Sequence, residues 1–408
     1  MRPQSPDAMP STAAGPRTSE PLSAMKKTLM PGATLGMVGG GQLGRMFAIA
    51  AAQMGYRVVV LCDSDDAPAA QVATQIVVGA IDDPDVVKRF AQQCDVITLE
   101  FENIPADTIA GCADFAPTYP SADVLRVAQD RWLEKSSLRD LGLPVTPFDQ
   151  VSDADSVRRF AEHHGYPVIV KTARSGYDGK GQYRVESSQQ ADDVPWGSAD
   201  QWIAEQCIRF DKEVSILVAR NVHGQTSTFP LFENDHVNHI LDQTTCPASV
   251  DPAIESSARE IAMAVADGLD LIGLICIEFF LMGDSLMINE IAPRPHNSGH
   301  LSIEACGVSQ FEQQVRAVCG LPLGNTRLVS GGAAMVNLLG DLWQDGDPAW
   351  DRVFGLEDSL AASGIRLHLY GKAGAKVGRK MGHLTAVADD VVAAANAVRE
   401  ARERLRSS

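Results

Sequence analysis

The chain has 408 residues, and its 52 acidic side chains outnumber its 35 basic ones, which gives a formal net charge of −17. A surface this negative repels phosphodiester backbones, so we expect no nucleic acid among the partners. Apolar residues make up 45% of the chain, which is enough for packed cores and excludes disorder for most of it. The longest apolar runs fall far short of the ~20 residues that cross a bilayer, so we expect no membrane segment.

Cysteine usage and the N-terminus bear on the cellular compartment. Eight cysteines are scattered singly, at positions 62, 94, 112, 207, 246, 276, 306 and 319. This spacing argues against a zinc ribbon or a disulfide framework and fits a reducing environment. The N-terminus has no unbroken apolar stretch before a small-residue cleavage site, so we expect no secretory signal. These features predict a cytoplasmic globular protein.

The length suggests two or three domains, and the texture of the sequence changes along the chain. Residues 1–31 are rich in proline, serine and threonine and predict a disordered tail. Residues 32–120 alternate strand and helix patterns, which is typical of a parallel α/β unit. Residues 121–321 mix helices with antiparallel strands and predict an α+β domain. Residues 322–408 predict a small C-terminal domain that ends in a helix.

A glycine-rich loop, GGGQLG at 39–44, follows a predicted strand and precedes a helix, as in G-x-G-x-x-G. Asp63 ends the next strand, near the place where a dinucleotide fold keeps its ribose-binding acid. Three interpretations are open from these residues: a nicotinamide or flavin site, a loop for another anionic ligand, and glycines that only permit a tight turn.

A second glycine-rich stretch, from Gly176 to Gln182, follows a predicted strand that ends in Lys171. A fixed cation beside mobile backbone amides is a way to hold polyphosphate, and a plain hairpin turn is the alternative. The next strand ends at 205–208, with Glu213 just beyond it. Such an edge suits an adenine ring and ribose hydroxyls.

Two apolar strands, 274–282 and 286–291, flank a short turn. Folding them about Asp284 sets Glu278 opposite Glu290, where like charges ~5 Å apart are destabilising. Such a pair shares a proton or a cation, and hard oxygen ligands favour Mg²⁺ held jointly with nucleotide phosphates. A turn shifted by one residue separates the two glutamates. The polar segment 293–300 adds a cation, an amide and two imidazoles beside them, which indicates a phosphotransfer site.

Residues 364–383 form a basic island, with five Lys or Arg residues and no acid. A small phosphate monoester suits these interleaved cations and glycines, and a solvated loop is the alternative.

Seven ordered motifs, from about Leu35 to His383, resemble those of the ATP-grasp superfamily and, more closely, of its 5-(carboxyamino)imidazole ribonucleotide synthetase family. The motifs are GMVGGGQLGRM, TLEFENIP, QDRWLEK, VKTARSGYDGKGQ, EQCI, INEIAPRPHNSGH and YGKAGAKVGRKMGH. The resemblance implies α/β and α+β folding in an ATP-grasp architecture: a Rossmann-like pre-ATP-grasp domain, a central ATP-grasp domain and a small C-terminal domain. It also removes the dinucleotide interpretation, because in this family the first loop lies on the substrate side.

The resemblance implies that ATP and bicarbonate are used to carboxylate 5-aminoimidazole ribonucleotide, through carboxyphosphate, in purine biosynthesis. The implied ATP contacts are Arg131, Lys171, Gly176, Tyr177, Asp178, Gly179, Lys180, Gly181, Gln182, Glu205, Gln206, Cys207, Ile208, Glu213, His236, Asn289 and Glu290. The implied Mg²⁺ ligands are Glu278 and Glu290. The implied ribonucleotide contacts are Gln42, Leu43, Glu102, Asn297, Lys372, Arg379 and Lys380. The implied catalytic residues are Lys180, Tyr177, Glu102 and Arg294.

The sequence departs from the family pattern at Lys180, where arginine is common, at Ser175, where glycine is frequent, and at Lys376, where arginine is often found. Lysine keeps the charge but loses the bidentate fork, which affects bicarbonate positioning by Lys180. The alternatives are a formate-dependent glycinamide ribonucleotide transformylase of the same superfamily and a nicotinamide-dependent oxidoreductase. The resemblance further implies a homodimer and functional pairing with the downstream mutase.

Overall fold

The computed structural model describes residues 27–174, 176, 181–343 and 364–405. The expected tail lies mostly outside these residues, but its last part is attached to the protein. The backbone N–H of Leu29 donates to the carbonyl of Cys319 at 2.8 Å, and the Tyr56 hydroxyl donates to the carbonyl of Leu29 at 2.7 Å. The prediction of a disordered tail over residues 1–31 is therefore wrong for its last residues, which contact the rest of the protein.

The first sheet is parallel, with strand order β3-β2-β1-β4. Its strands are β1 (Thr34–Val38), β2 (Arg57–Cys62), β3 (Gln75–Val78) and β4 (Val96–Leu99). The helices around it are α1 (Gln42–Gln53), α2 (Pro84–Ala91), α3 (Ala106–Ala113) and α4 (Ala122–Ala128). Val58 and Val60 of β2 enter one core and Val59 and Leu61 enter another, because a parallel sheet buries both faces. Leu125 of α4 belongs to the second core, so this unit extends beyond the expected boundary at 120.

The second sheet is antiparallel, with strand order β5-β8-β6-β7. Its strands are β5 (Phe148–Val151), β6 (Val168–Thr172), β7 (Gln182–Val185) and β8 (Trp202–Gln206). Helices α5 (Arg131–Asp140) and α6 (Ala154–His164) accompany it. Asp153 begins α6 with a capping box formed with Ser156, which satisfies N–H groups of the first turn.

The third sheet is the largest, with order β14-β13-β9-β11-β12-β15-β17-β16 and β10 paired to β9. Its strands are β9 (Lys212–Arg220), β10 (Thr226–Thr228), β11 (Phe232–Val237), β12 (Ile240–Cys246), β13 (Gly273–Met282), β14 (Ser285–Ala292), β15 (Gly332–Leu339), β16 (Arg366–Leu369) and β17 (Lys380–Ala388). The remaining helices are α7 (Pro252–Gly268), α8 (Ser302–Ala305), α9 (Gln310–Cys319) and α10 (Val391–Leu405). Because β12 pairs with β15, the C-terminal strands extend the central sheet across the expected boundary at 321. Of the helices in the described ranges, none is long and apolar enough to cross a bilayer.

The hairpin of β13 and β14 differs from the predicted register at its turn. Met282 pairs with Ser285, so the turn has two residues instead of three. A bulge then shifts the register beyond Phe279, and Glu278 pairs with Glu290. The predicted pairing of 282 with 286 is therefore wrong, whereas the predicted opposition of the two glutamates is confirmed.

Candidate active site

A cavity of about 1050 Å³ takes its lining from strands of the second and third sheets and from the loops and helices that follow strands of the first. It brings together most of the residues selected from the sequence, although these are spread over more than 330 positions. The selected residues that line it are Gln42, Leu43, Glu102, Arg131, Lys171, Gly176, Gln182, Glu205, Gln206, Cys207, Ile208, Glu213, His236, Glu278, Asn289, Glu290, Arg294, Asn297, Lys372 and Lys380.

The other selected residues stand apart from this set. Tyr177, Asp178, Gly179 and Lys180 lie outside the described residues. Gly181 does not line the cavity, and its carbonyl accepts from the N–H of Thr172 at 2.9 Å. Arg379 does not line it either, because its guanidinium donates to the carbonyls of Ala373 and Gly374 at 2.6 and 2.7 Å.

The two paired glutamates have opposite electrostatic environments. Burial opposes ionisation of Glu278, but His296, whose Nε2 lies 3.0 Å from Oε1 of Glu278, and then His236 and Arg294 hold the pKa of Glu278 at about 2. Burial and the charge of Glu278 raise the pKa of Glu290, although Arg131 and Lys171 oppose the rise. A divalent cation between the two carboxylates would relieve this repulsion, so their oxygens fit Mg²⁺.

Lys135 supports the wall beside these glutamates, and the sequence reasoning missed it. Its side chain is 2% exposed, and its ammonium donates to Thr146 Oγ1 at 2.8 Å and to the carbonyl of Asn289 at 2.9 Å. It also lies 3.6 Å from Oε1 of Glu205, while Lys171 donates to Oε2 of the same carboxylate at 2.9 Å. These contacts fix Lys171 and the bulged strand relative to each other.

The edge of the cavity near Cys207 contains side chains that the sequence reasoning also missed. Phe210 stacks on Phe280, with ring centroids 4.7 Å apart and an angle of 9° between the planes. Arg184 Nη1 lies 3.0 Å from Cys207 Sγ. Phe280 is two residues from Glu278 on one strand and so shares its face, which is the available sequence signal. An apolar slot with a cation at its rim suits a flat heterocycle.

Glu100 explains why the first glycine loop is not a dinucleotide site. Its carboxylate accepts from the backbone N–H of Gly41 and, at 2.8 Å, from that of Gly44, at the start of α1. A Cβ atom on Gly39 would lie 2.4 Å from Glu100 Cγ, so the loop is wrapped closely around this side chain. The carboxylate thus occupies the anion position at the helix N-terminus that a dinucleotide phosphate requires.

Lys372 joins the basic island to α1. Its ammonium donates to Gln42 Oε1 at 2.6 Å and to the carbonyl of Lys380 at 2.7 Å. Burial, with the charges of Arg379 and Lys380, lowers the pKa of Lys372 to about 8. Asn297 is buried near the same end, and among the described residues its amide nitrogen and oxygen have no hydrogen-bond partner. Free amide groups beside cations suit a polar, phosphorylated ligand.

Glu102 and Arg294, which both line the cavity, form an ion pair with each other. Burial opposes ionisation of Glu102, but the guanidinium of Arg294 holds the pKa of Glu102 at about 2. Glu102 is therefore charged and a weak proton acceptor. His296, two residues after Arg294, also lines the cavity, so one of the two imidazoles expected beside the glutamates lies there.

Sequence profiles of three domain families match the chain in order. They are the ribonucleotide synthetase preATP-grasp domain at residues 32–129, the ATP-grasp domain at 136–311 and the phosphoribosylaminoimidazole carboxylase C-terminal domain at 333–397. The N5-carboxyaminoimidazole ribonucleotide synthase of Bacillus subtilis is 40% identical over 365 residues, which cover 88% of this chain and 93% of that protein. The chain belongs to the N5-carboxyaminoimidazole ribonucleotide synthase family.

Other members agree with this assignment. The synthase of Brucella melitensis is 40% identical over 366 residues, covering 89% of this chain and 98% of that protein. The synthetase structure from Thermus thermophilus has a TM-score of 0.83 and 37% identity, covering 92% of this chain and 99% of that one. The Aspergillus clavatus synthase, solved with ADP and 5-aminoimidazole ribonucleotide, has a TM-score of 0.82 and 29% identity, covering 92% and 98%. The expected ATP-grasp architecture and an ATP-dependent ligase of purine biosynthesis are confirmed, and neither alternative activity is favoured.

Proposed function

We propose that this chain carboxylates 5-aminoimidazole ribonucleotide with ATP and bicarbonate, the reaction for which its family is named. The observation that carries the proposal is a single cavity whose lining includes both the Glu278–Glu290 pair, which we take as the nucleotide end, and Lys372 and Lys380, which we take as the ribonucleotide end. A nucleotide at the first end and a phosphate monoester at the second would face each other across the Glu102–Arg294 ion pair.

At the nucleotide end, Glu278 and Glu290 would hold Mg²⁺, which when bound supplies charge that screens the ATP phosphates. Lys171 and Arg131 add fixed cations beside it. Arg131 Nη2 also donates to the carbonyl of Gly176 at 2.9 Å, so this residue holds the start of the second glycine loop. The Phe210–Phe280 stack and the edge at 205–208 would receive the adenine ring.

The reaction needs two transfers. A bicarbonate oxygen attacks the γ-phosphorus, the bond from that phosphorus to ADP breaks, and carboxyphosphate forms. The ribonucleotide amine then forms a bond to the carboxyl carbon, the bond from that carbon to the phosphate oxygen breaks, and the amine loses one proton. Arg294 would offset the charge on the transferred group, since positioning and electrostatics supply most of the catalysis in such reactions.

The ribonucleotide end would bind its ligand through cations and side-chain amides. Lys372 and Lys380 would contact the 5′-phosphate, and Asn297 and Gln42 would contact the polar groups near it. Arg379 would hold the loop that carries Lys372. Glu102, with its pKa of about 2, would orient the amine rather than deprotonate it. Tyr177 and Lys180 would keep water away from carboxyphosphate.

The test is ADP release from Mg-ATP and bicarbonate, with and without the ribonucleotide. We expect strong stimulation by the ribonucleotide that disappears when bicarbonate is removed. Turnover that appears only with formate and glycinamide ribonucleotide would reject the carboxylation and retain the ATP-grasp chemistry. Tight binding of NAD(H) in a parallel titration would reinstate the oxidoreductase.

We further propose a cytoplasmic homodimer that passes its product to the downstream mutase. All eight cysteines are free, which fits a reducing compartment. The dimer and the mutase pairing rest on the family resemblance. Sedimentation equilibrium tests the first, and a coupled assay with the mutase, compared with the same assay through a dialysis membrane, tests the second.

A further inference from the structure

The Glu102–Arg294 ion pair joins a cavity segment that follows the first sheet to one that follows the third. Glu102 follows β4 of the first sheet, and Arg294 follows β14 of the third. Arg294 Nε donates to Glu102 Oε2, and the two side chains are 16% and 27% exposed. Each partner is fixed from its own side, because Gln129 donates to the carbonyl of Glu102 and Arg294 Nη1 donates to the carbonyl of Pro295. The pair is therefore a fixed contact between the proposed nucleotide end and the proposed ribonucleotide end of the cavity.

Phosphoryl transfer needs a cation beside the transferred group, and in this structure the guanidinium of Arg294 is already paired with Glu102. A guanidinium that already faces a carboxylate stabilises a second anion less well, since its charge and its donors are shared. The partial burial of both side chains strengthens this competition because it reduces solvent screening. Arg294 is thus held by Glu102 rather than presented to a phosphoryl group.

We propose that Glu102 is a positioning residue that couples ATP cleavage to the presence of the ribonucleotide. The inference rests on the proposed function. The amine and hydroxyl donors of the ribonucleotide hydrogen-bond to Glu102 and share its charge. Arg294 then turns to the γ-phosphoryl group and to carboxyphosphate. ATP is consequently cleaved rapidly only when the ribonucleotide, which accepts the carboxyl group, is bound.

The benefit follows from the chemistry without the acceptor. Carboxyphosphate formed alone reacts with water to give bicarbonate and phosphate, so the net reaction is hydrolysis of ATP to ADP and phosphate. With the acceptor bound, one ADP is released for each carboxylated product. The ratio of ADP to product therefore measures the coupling directly.

The test is Glu102→Gln, which keeps the shape of the side chain and removes its charge. We expect the rate of ADP formation with bicarbonate but without ribonucleotide to rise about tenfold. Loss of the ion pair with Glu102 frees Arg294 to lower the barrier to phosphoryl transfer by the strength of about one charged hydrogen bond. With ribonucleotide present, ADP should exceed product. Glu102→Asp, which keeps the charge, should return the ratio toward one. A matched control is Glu233→Gln, because Glu233 pairs with Lys212 at 2.9 Å outside the cavity with similar exposure, and it should leave both rates unchanged.

Two results would overturn the coupling role. One is an unchanged ribonucleotide-independent rate in Glu102→Gln with a ratio that stays at one. The other is an equal fall of both rates, which is the behaviour of a structural residue. Failure of the proposed function looks different, because the wild-type chain itself would then show no stimulation by the ribonucleotide.

Discussion

Glu278 of β13 lies directly opposite Glu290 of β14, and the extra residue Asn289 keeps the two carboxylates in register. The carbonyl of Asn289 accepts from the buried ammonium of Lys135 at 2.9 Å, which holds the bulged backbone in place. Directly opposed like charges are destabilising. The hydrogen bond from Lys135 therefore holds in place a backbone that carries an unfavourable charge pair. Strained charge of this kind is typical of a functional site, and here it suits a shared cation.

Glu290→Gln should abolish turnover and leave the fold intact. The raised pKa of Glu290 means that its ionised form is disfavoured in the folded chain, so its charge lowers stability above its unfolded pKa. Removing that charge should leave the melting temperature unchanged or higher, while ADP release falls by about a hundredfold or more. Glu260→Gln, at an exposed position on α7, is the matched control. Normal ADP release in Glu290→Gln would reject the metal role.

The glutamate pair shows how far a sequence argument reaches. Counting outward from a three-residue turn predicts the pair, yet the turn has two residues and the bulge restores the register. Local residues do not reveal the bulge, because its causes are remote in sequence. Ile288 pairs with the segment at 144–146, and Lys135 comes from α5. The shorter turn and the bulge each shift the register by one residue. Because the two shifts cancel, Glu278 and Glu290 still face each other.

The residues that the sequence argument missed have a common property. Glu100 and Lys135 both lie inside recognised motifs, but their roles depend on which neighbour each side chain faces. Glu100 and Glu102 are two residues apart, and the structure turns the first to the glycine loop and the second to Arg294. Residue type and spacing identify the motif, whereas tertiary packing determines which role each residue in the motif has.

Arg379→Ala should weaken ribonucleotide binding through the loop. Its guanidinium bridges the carbonyls of Ala373 and Gly374, next to Lys372, so its loss releases the segment that carries the phosphate contact. We expect the KM for the ribonucleotide to rise about tenfold or more, with the KM for ATP unchanged. Arg379→Lys keeps the charge and three N–H donors, but its shorter side chain lacks the planar guanidinium, so it should restore only part of the ribonucleotide affinity. Full recovery by lysine would show that charge alone matters there.

The affinity for the ribonucleotide should fall as the pH rises through about 8. Burial and the neighbouring charges of Arg379 and Lys380 lower the pKa of Lys372 to about 8, so its ammonium deprotonates within an accessible range. The phosphate dianion binds the protonated form of Lys372 better, so KM should be nearly constant between about pH 7 and pH 8 and increase by up to about tenfold per pH unit above that. Lys372→Met should have a high KM that does not vary between about pH 7 and pH 9. A flat wild-type profile would remove Lys372 from the phosphate contact.

Gly39→Ala should destabilise the chain more than Gly32→Ala, and the difference should report on Glu100. Both glycines have positive φ angles, +110° and +95°, so both substitutions carry a similar strain of roughly 1–3 kcal/mol. A Cβ on Gly32 meets no atom within 4 Å, whereas one on Gly39 would lie 2.4 Å from Glu100 Cγ. Displacing Glu100 leaves the N–H groups of Gly41 and Gly44 without their acceptor, which costs about a further 1–3 kcal/mol.

Denaturant unfolding of the two glycine variants measures that difference, and the KM for the ribonucleotide gives a second readout. Gln42 lies between Gly41 and Gly44 and accepts from Lys372, so a displaced Glu100 should shift the start of α1 and raise this KM in Gly39→Ala. Gly32→Ala should leave it unchanged, because Gly32 is remote from the cavity lining. Equal losses of stability in the two variants would mean that Glu100 moves aside freely and does not anchor the loop.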